Sequence, residues 1–354
     1  MTPENRMEEL RGEIDGINMQ MLELLNKRAS IASEIGKIQS QLGTRLYDPA
    51  RESTMLQGLE QANNGPFSNE TIKTLFKEIF KATLNLEETE ARATILVQRK
   101  HADEQTVIEF ENGVKIGDGS LAIISGPCAV ESLEQVEAVA AEMDKRGVKI
   151  LRGMGYKPRT SPYDFQGLGE EGLKIARQVA NKYGMLVTSE IMDQSQIPMM
   201  SDYVDIFWVG ARNMQNSFLL KALGKIRQPV LLKRHFAATL KEFIFAAEYI
   251  ASEGNPNVIL MERGIRTFEP WTRNTLDISA IPLLKQETHL PIVVDVSHSG
   301  GRRDLVIPLA KIAKASGADG IMFETHPNPP VAMSDAKQQL NLEDFHEMMD
   351  MIEA

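Results

Sequence analysis

Between LAIISG (121–126) and DGIMFET (319–325) the sequence sets out a series of short apolar runs, the others being KILRGM (149–154), MLVTSE (185–190), VDIFWVG (204–210), PVLLKR (229–234), NVILMER (257–263) and PIVVDVSH (291–298). Each is nearly continuous in apolar character, which is the pattern of strands buried on both faces. Helix-length amphipathic stretches separate them. Eight such strand–helix units in about 230 residues predict a closed (β/α)8 TIM barrel, an α/β fold whose site lies at the C-terminal ends of its strands. A doubly wound open sheet competes, but it would have fewer strands and a phosphate-binding loop after the first, where GPCAVES (126–132) stands instead.

Working outward, TVIEFENGVKIGDG (106–119) alternates apolar and polar residues around Asn112-Gly113, which predicts a β-hairpin with a tight turn ahead of the barrel. At the N-terminus Met7, Leu10, Ile14, Ile17, Met21, Leu24, Arg28, Ile31, Ile35 and Ile38 follow alternating steps of three and four. That is the seam of one helix of about 50 Å, built to pack lengthwise on other helices. DPARESTMLQGLE (48–60) opens with a capping Asp and Pro, SNETIKTLFKEIFKATLNLEE (68–88) opens with cap residues, and NNGP (63–66) is the turn between them. The expected organisation is an all-α three-helix domain over 1–90, a linker over 91–104 and a barrel domain over 105–354. A rod with such a seam cannot bury it alone, so the chain is expected to form a homo-oligomer, a dimer through the helical domain or a tetramer.

The chain has 354 residues, 39 of them Lys or Arg against 49 Asp or Glu, for a net charge of -10. This argues against general nucleic-acid or anionic-membrane binding. No run approaches the roughly 20 apolar residues of a membrane span, and MTPENRMEEL is acidic and polar where a signal peptide is basic and then apolar, so the cytoplasm is the expected location. The single cysteine, Cys128, excludes a disulfide framework within the chain.

The residues just after each run converge on one cup if the barrel forms. They are Cys128, Arg152 with Lys157 and Arg159, Glu190, Arg212, Lys233 with Arg234, Arg263 with Arg266, Asp295 with His298, and Glu324. Any one Arg there is most simply a solvated or ion-paired residue. So many cations at the mouth of one barrel in an acidic protein repel one another unless an anion neutralises them, and the guanidinium fork suits phosphate and carboxylate oxygens. Cys128, His298, Glu324 and Asp335 offer sulfur, nitrogen and carboxylate oxygen, a mixed set suited to a divalent transition metal, with His326 a rival imidazole beside Glu324.

GPCAVES (126–132), LRGMGYKPRTSPYDFQGLG (151–169), GARNMQN (210–216), LLKR (231–234), ERGIRT (262–267), RNTLD (273–277), VDVSHSGGRRD (294–304) and FETHPNPPVAMSD (323–335) resemble the short type I 3-deoxy-D-arabino-heptulosonate 7-phosphate (DAHP) synthases over residues 105–350. These enzymes condense phosphoenolpyruvate with erythrose 4-phosphate at the start of the shikimate pathway. The resemblance implies Cys128, His298, Glu324 and Asp335 as ligands of a divalent metal, Mn²⁺ or similar. It implies Arg212, Lys233 and Arg263, helped by Lys157, as the phosphoenolpyruvate site, and Arg159, Thr160 and Arg152 as the sugar-phosphate end, with Lys157 also shuttling a proton. His235 and Phe236 stand where relatives usually carry Gly and a smaller apolar residue, Tyr156 where Phe is usual, and Asn328 where an acid is common.

The first 90 residues resemble the all-helical chorismate mutases through ELR (9–11), NKR (26–28), EIGKIQ (34–39) and DPARES (48–53). By position Arg11, Arg28 and Arg51 would bind the carboxylates of chorismate, and Asp48 and Glu52 its hydroxyl region. Arg28 interrupts the apolar seam, so either an acid pairs with it or it faces an anionic ligand. At 100° per residue Gln39 lies within about 20° of Arg28, whereas Arg11 points about 100° away, toward a partner chain's pocket. Gln39 and Glu87 stand where Lys and Gln are usual at the breaking ether bond, and an ionised Glu repels the charge that develops there, so the mutase is expected to be weak at neutral pH. The implied regulation is feedback on the barrel by chorismate or prephenate. The alternatives are a helical domain that only binds these ligands, one that is purely a dimerisation scaffold, and a barrel that uses arabinose 5-phosphate.

Overall fold

A computed structural model describes residues 2–42, 48–92 and 95–353, excepting the side chains of 37, 40–42 and 87–92. The N-terminal seam is one helix, α1 (Pro3–Leu42), 40 residues and therefore about 60 Å long. Helix α2 (Pro49–Ala62) starts where Asp48 Oδ1 accepts from the amides of Ala50 and Arg51, and α3 (Asn69–Arg92) follows the turn at 63–68. Both α1 and α2 pack on α3. Most of the α1 seam nevertheless stays exposed in the single chain, Met7, Leu10, Ile14, Ile17, Met21, Leu24, Ile31, Ile35 and Ile38 included. The chain divides into two units, Met1–Ile95 and Leu96–Ala354. Of the segment expected as a linker, 91–92 end α3, residues 93–94 lie outside the described residues, and the part from Leu96 onward is bound to the barrel. There the Glu248 carboxylate accepts from the amides of Leu96 and Val97, and Gln98 bridges Thr288.

The hairpin forms from β1 (Ile108–Glu109) and β2 (Lys115–Ile116), paired antiparallel with Ile108 opposite Ile116. Its turn is tight, as expected, and contains Asn112-Gly113. Gly113 N donates to Phe110 O and Phe110 N to Val114 O, with Gly113 at φ 84°, so the connection is the three residues 111–113 with glycine in the left-handed position. That turn needs only one positive φ, which Gly113 supplies without a Cβ clash. Ile108 and Ile116 then reach the barrel interior, where they pack with Ile124, Ile150, Ile206 and Val293.

All eight apolar runs are strands: β3 (Ala122–Ser125), β4 (Ile150–Arg152), β5 (Leu186–Ile191), β6 (Ile206–Val209), β7 (Val230–Lys233), β8 (Val258–Glu262), β9 (Ile292–Asp295) and β10 (Gly320–Met322). They pair in parallel in chain order, and β10 closes on β3 with Ile321 opposite Ile123. The seventh run stops short of its predicted end. Asp295 Oδ1 accepts from His298 N, capping a short helix over Val296–Gly300 and turning His298 inward at the strand's C-terminal end. No helix among the described residues is long and apolar enough to cross a membrane.

The hairpin's contribution is measurable. Ile116 is fully buried, so Ile116→Ala should lower barrel stability by about 2–5 kcal/mol, read as a shift of the denaturant midpoint. The exposed neighbour Val107→Ala should cost less than about 0.5 kcal/mol, and equal shifts would remove the hairpin from the core.

Candidate active site

A cavity of about 310 Å³ opens at the C-terminal ends of the barrel strands. Lys157, Arg159, Thr160, Arg212, Lys233, Arg263, His298 and Asp335 line it, as do Glu190, Trp208, Phe236, Arg266 and Arg273. Its cations come from the end of β7 and from the loops after β4, β6 and β8, so the strand order alone brings together residues up to about a hundred positions apart.

Two cations grouped with this cup by sequence do not line it. Arg152 is wholly buried beneath it, with Nη2 3.0 Å from Glu324 Oε1, Nε donating to Pro127 O and Cζ 4.9 Å from the Trp208 ring centroid. Arg234 is a structural ion pair, its Nη1 2.8 Å from Glu262 Oε2 and 2.9 Å from Asp277 Oδ2. A buried guanidinium answered by two carboxylates, as in Arg234, is neutralised, whereas Arg152 meets one carboxylate and keeps Nη1 without a hydrogen-bond partner. Arg159 and Thr160 lie together on the cavity wall, with Arg159 Nη2 3.1 Å from Asp164 Oδ2.

The floor has a different chemistry. Ligating atoms of Cys128, Glu324 and Asp335 lie within 4.8 Å of one another. His298 borders this triad, with Nε2 3.4 Å from Glu324 Oε1 and 3.9 Å from Asp335 Oδ2, while Nδ1 lies 2.8 Å from Asp295 Oδ2. Burial lowers the His298 pKa despite the nearby carboxylates of Asp295 and Glu324, which favours the neutral, ligating imidazole. His326 faces elsewhere, its Nε2 3.4 Å from Glu131 Oε2. Glu324 Oε1 is buried beside Arg152 Nη2 and His298 Nε2 but accepts a well-oriented hydrogen bond from neither, so its lone pairs can still meet a metal cation. Sulfur and two carboxylates beside a neutral imidazole fit a divalent transition ion. Lys157 Nζ donates to Cys128 Sγ and, at 2.8 Å, to Asp335 Oδ2. Burial pushes the Cys128 thiol pKa up, and it opposes the charge on Lys157, but Cys128, Glu324 and Asp335 outweigh it and raise the ammonium. Asp335 is the one non-glycine residue at positive φ, 44°, among the described residues.

Glu190 was visible at a strand end but carried no assignment. Its carboxyl is buried against the cavity, and burial raises its pKa against the pull of Lys233, Lys157 and Arg212. Glycine at 210 makes room for it, because a Cβ there would lie 1.8 Å from Glu190 Oε1. Lys233 sits with Nζ 2.6 Å from Asp295 Oδ2 and 4.1 Å from the Trp208 ring centroid, and burial brings its pKa down to about 8 although Asp295 pulls it up. Trp208 was read only as strand core. The available signal was its parity with Gly210, two residues on, which turns its face into the cup.

In the helical unit a cavity of about 920 Å³ is lined by Arg28, Gln39, Asp48, Arg51 and Glu52, joined by Lys27, Lys77, Lys81, Phe80 and Thr83. Arg28 donates to Thr83 Oγ1 and has Cζ 5.0 Å from the Phe80 ring centroid. Both partners are neutral, so its charge is available to a ligand. Arg11 lies outside this cavity, exposed, 3.4 Å from Glu8. Glu87 lies on α3, and its side chain is outside those described.

A (β/α)8 barrel whose mouth places unneutralised cations above a buried thiol–carboxylate cluster defines an enzyme for phosphorylated or carboxylated substrates with a metal-capable centre. The chain belongs to the DAHP synthetase I family, whose model matches residues 105–353, and residues 10–88 match the chorismate mutase type II model. It is 55% identical to the phospho-2-dehydro-3-deoxyheptonate aldolase of Thermotoga maritima over 254 residues, 72% of this chain and 75% of that protein. A crystal structure of the T. maritima DAHP synthase superposes with a TM-score of 0.71 at 54% identity, covering 73% of this chain and 75% of that one. More distant is a 2-dehydro-3-deoxyphosphooctonate aldolase from Desulfosudis oleivorans, 29% identical over 69% of this chain and 93% of that protein.

The charge state of the cup can be tested with a simple anion. Lys233 loses its proton as pH rises through about 8 while the arginines keep theirs, so sulfate affinity measured by calorimetry should be full below pH 7 and fall between pH 7 and 9. Lys233→Met should bind sulfate more weakly with a flat profile over that range, and a persisting slope would assign the titration to another group.

Proposed function

We propose that the barrel condenses phosphoenolpyruvate with erythrose 4-phosphate, releasing DAHP and phosphate. The observation that carries this reading is the cup itself, one cavity lined by Arg159, Thr160, Arg212, Lys233 and Arg263 and by Asp335 of the Cys128–Glu324–Asp335 cluster. That many cations in one cavity suit two anionic substrates bound beside a metal-capable cluster. Identity favours the four-carbon aldose over arabinose 5-phosphate, 55% to the heptulosonate enzyme against 29% to the octulosonate one.

In this reading Arg212, Lys233 and Arg263 hold the phosphate and carboxylate of phosphoenolpyruvate, and Arg159 and Thr160 hold the sugar phosphate. Arg152 fixes Glu324 through Nη2, and its unpartnered Nη1 is the donor it retains for the sugar-phosphate end. A divalent ion such as Mn²⁺, held by Cys128, His298, Glu324 and Asp335, would supply Lewis-acid polarisation of the aldehyde oxygen. Attack by the enol carbon leaves cationic character at C2, which water captures before phosphate departs by C–O cleavage. Glu190, in its ionised form, which Lys233, Lys157 and Arg212 favour against burial, is suited to take the proton of that water, and Lys157 to deliver one to the new hydroxyl. Asp295 keeps the Lys233 and His298 side chains aimed at their tasks. The experiment is a product assay of the whole chain with both aldose phosphates. Exhaustive chelation should abolish condensation and Mn²⁺ should restore it, whereas full activity of His298→Ala after chelation would exclude the metal from the reaction.

The helical unit is assigned to chorismate, as a mutase of low neutral-pH activity, as a sensor, or as both. Arg28, Arg51 and Gln39 face its cavity, and in this reading Arg11 and the bare α1 seam face a second copy of the chain. A fully buried apolar side chain is worth about 1.5–3 kcal/mol, so covering these half-exposed seam residues would supply a sum of the order of the cost of association. The chain is placed in the cytoplasm as a dimer or tetramer. Chorismate or prephenate should inhibit the barrel, and Arg28→Ala should relieve the inhibition. Binding energy is reciprocal, so barrel substrates should weaken chorismate binding by the same factor. Equal inhibition of residues 96–354 expressed alone would show that the helices are not the sensor.

A further inference from the structure

Lys233 ends β7, Arg234 is tied down by two carboxylates, and the next two residues, His235 and Phe236, are those that depart from the resemblance. Phe236 lines the barrel cavity, and so does Arg266 from the loop after β8. Arg266 N donates to Phe236 O at 2.8 Å, so the two loops are stitched together at this point. Its guanidinium Cζ then stands 4.3 Å from the Phe236 ring centroid. The imidazole of His235 meets the same ring with centroids 4.0 Å apart and planes 34° from one another. The His235 ring is itself fixed, its Nδ1 accepting from Ala237 N at 3.2 Å while its own amide is directed at Met214 Sδ.

The two ways of holding a guanidinium in this barrel have opposite consequences. Carboxylates consume the N–H fork of Arg234 and cancel its charge. An aromatic face attracts the cation through its quadrupole and takes none of the donors, which leaves the edges of the Arg266 fork for phosphate oxygens. Without such a hold Arg266 would be driven toward solvent by the cations that share its cavity, Lys233, Arg263 and Arg212. Burial and the nearby Arg266 and Arg263 lower the His235 pKa, so the stack adds no further positive charge.

We propose that Phe236 is a positioning residue that presents the Arg266 guanidinium to the phosphate of phosphoenolpyruvate, and that Arg266 is a fourth binding cation beside Arg212, Lys233 and Arg263. The proposal rests on the phosphoenolpyruvate reading of the cup. Leucine keeps much of the ring's volume and removes its π face, while tyrosine keeps the face. In steady-state assays of the full chain with Mn²⁺, Phe236→Leu should raise KM for phosphoenolpyruvate roughly three- to tenfold, and Arg266→Ala by at least as much. Phe236→Leu combined with Arg266→Ala should be no worse than Arg266→Ala alone, because each removes the same interaction. Phe236→Tyr should restore the wild-type KM, and kcat and the aldose phosphate KM should change by less than about twofold. An unchanged phosphoenolpyruvate KM in Phe236→Leu, a rise in the aldose phosphate KM instead, multiplying effects in the double variant, or loss of kcat in Phe236→Tyr would each overturn the proposal. Calorimetric titration of the same variants with phosphoenolpyruvate separates this outcome from the parent reading. If wild type binds phosphoenolpyruvate and forms no product with either aldose phosphate, the proposed reaction fails while the Phe236–Arg266 pair is still tested.

Discussion

The carboxylate of Asp295 is buried with no exposed surface, and it lies between the Lys233 ammonium at 2.6 Å and the His298 imidazole at 2.8 Å. Burial alone would force such a group to take up a proton, but its contacts with His298 and the Lys233 ammonium hold it well below the usual carboxylate range. One ionised oxygen pair thereby fixes an anion-binding cation on β7 and a metal-facing imidazole after β9. Its other oxygen caps the short helix that carries that imidazole. Local chain direction, electrostatics and the spacing between the two halves of the cup all pass through this side chain.

The same logic extends to the floor. Arg152, Glu324, Lys157 and Asp335 form a chain of alternating charge in which each buried cation meets a carboxylate. Higher in the cup the alternation gives way, and Arg212, Arg263 and Arg266 face the cavity together with Lys233, of which only Lys233 has a carboxylate partner, Asp295, among the described residues. The barrel is therefore internally neutralised below and left positive above. That gradient is what separates residues that maintain the fold from residues that await an anion, although all of them are Arg or Lys at strand ends.

This distinction explains what the sequence could and could not disclose. Strand identity depends on burial of both faces, a property written in the composition of each run, and all eight runs proved to be strands. The ring of cations followed from strand order and chain direction. The status of each cation did not, because Arg234 is neutralised by Glu262 and Asp277, 28 and 43 positions away, and Arg152 by Glu324 across the closure of the barrel. Pairing of that kind is fixed by registry between strands and leaves no local pattern. The hairpin was legible in its alternation, while the length of its loop was not. Asn-Gly favours a two-residue turn, but the turn here starts at Phe110 and uses only the glycine in the left-handed position, as the opposition of Ile108 and Ile116 requires.

The helical unit obeys the converse constraint. Its barrel neighbour closes a sheet on itself and buries the result, whereas α1 carries a seam that its own two companions leave largely uncovered. Where the seam is interrupted, at Arg28, the charge meets a hydroxyl and a ring rather than a carboxylate. Arg28 and Arg266 are thus held by the same device, an aromatic face that steadies a guanidinium without neutralising it. Arg234, with its carboxylates, is the internal contrast. In both units the partner of an arginine, and not its position at a strand end or on a helix seam, decides whether its charge serves the fold or remains for a ligand.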